Sequence, residues 1–397
     1  MTTELNPLQG IRVLDFTFMM AGPYCTRYLA DLGADVIKIE TAEGDYMRTR
    51  EPLREGHSAY FGHLNCGKRS VVLDLKSPIG LEAARQLALR SDVLVENFRP
   101  GVMQRLGLDF ATLCEANPKL VYCSISGFGQ TGPSATRAAY AQIVSAASGY
   151  DLAFAGYQDV PPGADHRPPN NALFLADVLG GTYAFSGILA ALNQRHTTGR
   201  GQHVDATLME CMLNLMPYEV QEAQFPIAKR RPVYPPLRTL DGYMMVAAVS
   251  PKNFEMLFDA IGLTGWRTDP VLGTDTERQA HWHEVMSRIE HWTSQRGTAV
   301  CEQVFSDAGL PATGYKSVAE ALDDPQTAHR GSLARVRLGS LEHRVPNLPF
   351  KLSAARVEAR PDTPELGQHT EEVLGGLLHM DAASIGMATG GATKSAS

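Results

Sequence analysis

Asp177 has the clearest potential for chemistry in this 397-residue chain. It stands between Ala172-Leu-Phe-Leu-Ala176 and Val178-Leu-Gly180-Gly181-Thr182, at the start of an apolar, helix-patterned segment. Two readings are open. The plainer one is a helix N-cap, because a carboxylate there accepts from unpaired N–H groups of the first turn. The other puts the same geometry to chemical use. Free N–H groups and the helix dipole keep a carboxylate ionised and can stabilise an oxyanion developing beside it. Gly180 and Gly181 would then allow a substrate to come close.

Two further stretches invite a ligand. Asp15 to Pro23 (DFTFMMAGP) and Asn97-Phe98-Arg99-Pro100-Gly101 each follow a strand-like run. The C-terminal ends of strands are where open α/β sheets bind ligands. An amide, an aromatic face and a cation suit a nucleotide carrier, although Met19 and Met20 also read as ordinary core filler. Gly127-Phe-Gly129-Gln-Thr-Gly132 matches GxGxxG, but Pro133-Ser134 follows where a phosphate-binding helix should already be running. A tight substrate loop is the better reading than a nicotinamide site. His281 and His283 are two apart, so on one helix they share no face and cannot ligate one metal.

The elements that must position these residues alternate in type. Arg12–Phe16, Asp35–Ile39, Ser70–Leu75, Asp92–Val95 and Leu120–Ile125 read as strands, with helices over 23–32, 78–90 and 108–116. Val/Ile-rich strands separated by helices imply a mostly parallel sheet covered on both faces. A loop-dominated stretch over 127–171 leads into a helix over 178–195, and a further helix over about 206–222 follows. A second domain begins after Lys229-Arg230-Arg231-Pro232, with a strand over 243–249 and helices over 253–261, 277–292, 298–308 and 318–329. Asn347–Leu352 marks a return to the first domain. Residues 384–397 are small and polar and read as disordered.

Composition bounds the rest. A net charge of −7 without a Lys/Arg block argues against a nucleic-acid partner. The first seven residues lack the basic-then-apolar pattern of a secretory leader, and no window approaches the ~18 uninterrupted apolar residues of a membrane helix. Six cysteines without CxxC spacing read as reduced thiols of a cytoplasmic enzyme.

In family order, the blocks Leu14-Asp-Phe…Ala21-Gly-Pro, Gly33-Ala-Asp-Val-Ile-Lys-Ile-Glu40, Asn65-Cys-Gly-Lys-Arg-Ser70, Val95-Glu-Asn-Phe-Arg-Pro-Gly101, Ser126-Gly-Phe-Gly129, Ala176-Asp177, Thr198-Gly-Arg-Gly-Gln202 and Leu366-Gly-Gln-His-Thr370 resemble the class III CoA-transferases. The resemblance implies an α/β fold: a Rossmann-like large domain (1–225, resuming at 346–397) with a smaller α+β domain (226–345), in an interlocked homodimer. It implies no permanently bound cofactor, with acyl-CoA and a carboxylic acid as substrates. Asp177 would attack the acyl-CoA carbonyl to give a mixed anhydride, and CoA thiolate would convert that to an aspartyl-CoA thioester. The CoA site would include Met19, Met20 and Ala21, with Leu73, Lys76, Asn97, Phe98 and Arg105 at the nucleotide end. Tyr140 would lie near the reacting centre.

Some positions depart from the family pattern. Thr41 stands where formyl-CoA transferases carry an arginine, and the glycine-rich shielding loop is replaced by Lys229–Leu237. Arg230, Arg231 or Arg238 would meet the distal charge of a dicarboxylate, or else form a solvated basic loop. The alternative activity, an acyl-CoA racemase, needs a His-Asp pair where this chain has Tyr140-Ala141.

Overall fold

The computed structural model describes residues 6–158, 167–168, 172–227 and 232–391. The chain divides into two compact units, 1–224 together with 328–397, and 225–327.

The first unit is built on a parallel sheet of β1 (Arg12–Asp15), β2 (Asp35–Glu40), β5 (Arg69–Val72), β6 (Val93–Glu96), β7 (Val121–Ser126) and β8 (His203–Thr207), while β3 (Leu53–Arg54) and β4 (His57–Ser58) form a small separate hairpin. The order in the sheet is β5-β2-β1-β6-β7-β8. Strand order therefore reverses between β1 and β6, and a crevice opens outside their carboxyl ends. Neighbouring residues of one strand face opposite layers. Val13, Val36, Val93 and Val121 pack under α1 (Ala21–Asp31), whereas Leu14, Ile37, Leu94 and Tyr122 face the layer that includes α3 (Pro78–Leu89). Both faces are thereby buried, which is why these strands read as continuous apolar runs.

The remaining helices of this part are α2 (Ala59–Asn65), α4 (Val102–Arg105), α5 (Phe110–Ala116), α6 (Ala141–Ala147), α7 (Tyr150–Ala155), α8 (Leu175–Thr198), α9 (Leu208–Leu215) and α10 (Pro217–Gln224). Helix α8 starts three residues earlier than expected. Among the described residues it is also the one helix long and apolar enough to cross a membrane. Here it is a core helix, packed on α1, α9, β7 and β8. The helix expected over 206–222 resolves into β8 and two helices. β8 escapes notice because His203, Val204 and Asp205 are not buried and α9 follows it directly.

The second unit carries an antiparallel sheet of β9 (Leu237–Arg238), β10 (Tyr243–Val246) and β11 (Ala312–Gly314). Its helices are α11 (Pro251–Ala260), α12 (Asp275–Ala280), α13 (Trp282–Thr293), α14 (Thr298–Asp307) and α15 (Val318–Leu322), with α16 (Pro325–His329) at the boundary. The single helix expected over 277–292 breaks at His281, which ends α12 and precedes α13. The helix expected over 318–329 likewise becomes two, separated by Asp323-Asp324.

The chain rejoins the first unit at residue 328 rather than 346, so the hairpin of β12 (Leu333–Leu338) and β13 (Leu341–Pro346) belongs there. The tail also differs from expectation. After α17 (Thr370–Leu378), α18 (Ala382–Ala388) is capped by Asp381, whose side chain accepts from the Ser384 N–H. Ile385 and Ala388 are buried in the α3 layer. Residues 392–397 lie outside the described part.

Gly180 and Gly181 turn out to be packing residues rather than an opening for substrate. A Cβ on Gly181 would lie 2.6 Å from the Ala21 carbonyl oxygen, and one on Gly180 would lie 2.2 Å from Leu208 Cδ2. The absent side chain at Gly181 lets α8 close on the start of α1, and that at Gly180 lets it close on α9. Gly181→Val should therefore cost roughly 1–3 kcal/mol, the usual range for overpacking. Guanidinium unfolding would read this as a lowered midpoint at constant slope, and an unchanged midpoint would contradict it.

Candidate active site

The site begins with the turn between β1 and α1. Asp15, at the end of β1, is fully buried, and its Oδ1 accepts from Thr17 N–H (2.9 Å) and the Thr17 hydroxyl (2.5 Å). Its Oδ2 accepts from the Thr26 hydroxyl (2.7 Å) and from Lys68 Nζ (3.0 Å). Lys68, also buried, reaches Asn65 Oδ1 at 2.8 Å and the Pro23 carbonyl at 3.1 Å. Beside it, buried Lys38 donates to the Thr17 carbonyl (2.7 Å) and pairs with Asp45 (2.9 Å). Burial pushes the Lys68 ammonium down to about 8. Burial also works to raise the Asp15 carboxyl, but Lys68, Lys38 and the two threonines outweigh it and hold Asp15 below the usual carboxylate range. These charges pin the turn from inside.

At the top of the turn Met19 takes a left-handed conformation (φ 66°), unusual for a residue with a side chain. Its N–H donates to Asp45 Oδ1 at 3.3 Å, and the same oxygen accepts from Met47 N–H. Met20 follows, then Ala21 opens α1.

Asp177 reaches this point from α8. It lies in the first turn of α8, not at its N-cap, which is Phe174 and contributes no side-chain cap. The Asp177 carboxylate instead accepts the backbone N–H of Ala21, at the start of a different helix. The capping reading is thus replaced by a contact between helices. Burial raises the Asp177 carboxyl to about 6, while the Ala21 N–H works in the opposite direction. The result is a carboxylate ionised at neutral pH yet poorly solvated, beside an amide able to stabilise charge on an attached oxygen.

The other expected site residues divide into groups. Met19, Met20 and Ala21 adjoin Asp177 through this turn. Asn97 lies across the switch point. Its side chain accepts from Phe18 N–H (3.1 Å) and donates to the Phe18 carbonyl (2.8 Å), so the amide clamps the two crevice loops together. Phe98 pairs with the partly exposed Phe18 ring at 5.6 Å. Lys76, before α3, and Arg105, ending α4, are exposed cations. The side chain of Leu73 is fully buried in the core and offers a nucleotide no surface. Tyr140 stands just before α6, 65% exposed, and among the described residues no hydrogen bond ties it to Asp177. Arg230 and Arg231 lie outside the described residues. Arg238 is in β9, its guanidinium over the Tyr243 ring at 5.3 Å.

Tyr60 is the neighbour that the sequence did not disclose. It lies in the first turn of α2, and its hydroxyl donates to Met20 Sδ at 2.9 Å. Burial and then the charge of Asp177 push its phenol up. No motif flags it, because only the packing of α2 beside the β1–α1 turn brings it there. The GxGxxG segment is a tight loop: Gly129 and Gln130 donate their N–H groups to Ser126 Oγ and Asp205 Oδ2. Among the described residues no group of three His, Cys, Asp or Glu could hold a metal.

A parallel doubly wound sheet with a half-buried carboxylate beside its switch point is the α/β architecture that takes ligands in the crevice at its strand ends. The chain belongs to CoA-transferase family III, whose sequence profile matches residues 8–370. It is 35% identical to an acetyl-CoA:oxalate CoA-transferase of Acetobacter aceti, over 91% of this chain and 94% of that protein. It is 34% identical to a succinate–glutarate CoA-transferase of Agrobacterium fabrum, over 94% and 96%. The crystal structure of a CAIB/BAIF family protein from Brucella suis superposes with a TM-score of 0.81 at 31% identity, covering 94% of this chain and 99% of the other.

The Asp177 carboxyl titrates above its ordinary 3.8, so the folded chain holds a proton between about 4 and about 6 that the unfolded chain would release. The group therefore adds stability as pH falls through that window, while its ionised form is lost over the same range. The kcat/KM profile should show an acid limb near pH 6, falling about tenfold per unit below it. An acid limb at pH 4 would contradict the burial of this group. Separately, Asn97→Ala should raise the Kd for CoA about tenfold by freeing the Phe18 loop, roughly the worth of one or two hydrogen bonds. Isothermal calorimetry tests this.

Proposed function

We propose that this chain transfers CoA between an acyl-CoA thioester and a dicarboxylic acid through a thioester formed on Asp177. The observation that carries the reading is the half-buried carboxylate held at the N-terminus of α1 by Ala21 N–H. In the first step an Asp177 oxygen attacks the thioester carbonyl and the C–S bond breaks, giving a mixed anhydride and CoA thiolate. The thiolate then attacks the aspartyl carbonyl, releasing the donor carboxylate and leaving an aspartyl-CoA thioester. The acceptor carboxylate and the same thiolate repeat both steps in reverse order, which restores Asp177. Each step exchanges one acyl bond for another, so thioester energy is kept only where water is excluded. A carboxylate is a weak nucleophile, and proximity of bound CoA must supply much of the acceleration.

A dicarboxylate is the substrate class because the relatives named above act on oxalate or on succinate and glutarate. We assign Met19, Met20 and Ala21 to the pantetheine side, and Phe98, Lys76 and Arg105 to the nucleotide side. The exposed cations suit the CoA phosphates. We further propose an interlocked homodimer, with no permanently bound cofactor. The six unpaired cysteines suit a reducing, cytoplasmic setting.

The test is mass spectrometry of the peptide containing Asp177 after incubation with acetyl-, succinyl- and glutaryl-CoA. A CoA adduct on that peptide is expected from at least one donor, with transfer reduced to background in Asp177→Ala. No adduct from any donor, together with full activity of Asp177→Ala, would sink the reading. Light scattering should give about twice the 43.1 kDa of one chain.

A further inference from the structure

The chemistry above leaves unused a cation beside Tyr60, the residue that also feels the charge of Asp177. Arg50 follows the 3-10 turn Tyr46–Thr49 and is exposed, and among the described residues it pairs with no carboxylate. Its Nη1 donates to the Tyr46 hydroxyl at 3.1 Å, and its guanidinium lies 5.4 Å from the centre of the Tyr46 ring. Arg48, two residues earlier, is already committed, forked onto Glu40 at 2.7 and 2.8 Å.

Three ties bring Arg50 to the site. Asp45 Oδ1 accepts both from Met47 N–H, inside the turn that Arg50 closes, and from Met19 N–H, two residues before Ala21. The Ser58 hydroxyl donates to the Arg50 carbonyl (2.6 Å) and accepts from Phe61 N–H (3.1 Å), which fixes the first turn of α2 to Arg50. Tyr60 in that turn donates to Met20 Sδ. Met47 and Phe61 form a buried cluster against which Met19, Met20 and Tyr60 all pack. Tyr60 therefore has a cation and an anion for neighbours. After burial, the charge of Asp177 is what raises its phenol, and Arg50 is what lowers it.

We propose that Arg50, braced by the Tyr46 hydroxyl, recognises the distal carboxylate of the acid substrate while its reacting carboxylate meets Asp177. The assignment rests on the CoA-transfer reading above and replaces the expectation that Arg230, Arg231 or Arg238 serves this end. A guanidinium offers paired N–H donors that match a carboxylate in a fork, and with Nη1 held by Tyr46 the fork is preset. A monocarboxylic acid has no group to place there. Selectivity for dicarboxylates then arises from the second carboxylate rather than from the reacting one.

The experiment measures acceptor KM with succinyl-CoA as donor, using glutarate and propionate, in wild type, Arg50→Gln, Arg50→Lys and Tyr46→Phe. Because Arg50 is exposed, the glutamine variant should fold, and circular dichroism verifies this. Arg50→Gln should lower the preference for glutarate over propionate about tenfold or more, as expected for a lost charge-assisted pair. Arg50→Lys should recover part of it, and Tyr46→Phe should shift it a few-fold in the same direction as glutamine. A wild type without preference for glutarate, an unchanged preference in Arg50→Gln, or equal loss with both acids overturns the assignment. The adduct on Asp177 separates the two claims. If wild type forms it and Arg50→Gln keeps its preference, only the Arg50 assignment fails; if wild type never forms it, the covalent reading fails first.

Discussion

The crossing of α8 over the start of α1 governs the arrangement of the site. At that crossing Gly181 leaves no side chain between its backbone and the Ala21 carbonyl, where a Cβ would sit at 2.6 Å. The same approach brings the Asp177 carboxylate onto the Ala21 N–H, four positions earlier on α8. One turn of helix separates the packing contact from the chemical one, so the two cannot be adjusted independently. A carboxylate that would cap its own helix in isolation is given instead to the first free amide of a neighbour. Loss of solvent at this crossing lifts its pKa to about 6, against the opposing pull of the Ala21 N–H.

Beneath α1 lies a set of buried charges whose purpose is positional. Lys68, Asp15, Lys38 and Asp45 are all largely or wholly inaccessible. Buried ion pairs seldom add net stability over a well-packed apolar core, although removing one partner typically costs about 3–5 kcal/mol. Their value here is that each bond ends on the β1–α1 turn or on a residue that holds it. Asp15 fixes Thr17 and Thr26, Lys38 takes the Thr17 carbonyl, and Asp45 holds Met19 in a conformation it would otherwise avoid. Asn97 closes the turn from the far side of the switch point through two bonds to Phe18. A rigid turn keeps Ala21 N–H aimed at Asp177, and this pre-organisation favours charge developing there. The same Asp45 also anchors the turn that ends in Arg50, so the proposed nucleophile and the proposed acid-recognising cation share one support.

Much of this architecture is legible in the sequence wherever a pattern is local. Strands β1, β2, β6 and β7 are apolar runs bounded by polar residues, and their ends fall within a residue or so of expectation. Pro78 opens α3 as a first-turn proline should. β8 is missed because edge strands need bury only part of their length, and here only Ala206 and Thr207 are buried. The helix over 277–292 is drawn as one because its apolar spacing continues through His281, where the backbone does not. The tail is read as disordered from composition, yet Ile385 and Ala388 find an apolar layer composed of residues about 300 positions away.

What the sequence by itself determined is the parallel α/β unit, the placing of candidate ligand loops at strand ends, and Asp177 at the head of an apolar helix. Periodicity, capping residues and strand composition act over a few residues, so they survive in one dimension. What only the tertiary structure decided is which amide Asp177 meets, why Gly180 and Gly181 are bare, and that Tyr60 and Arg50 come to the same turn. Those relations join residues as far apart as Ala21 and Asp177 through packing and buried charge. Only the closing of the fold brings such groups to contact distance.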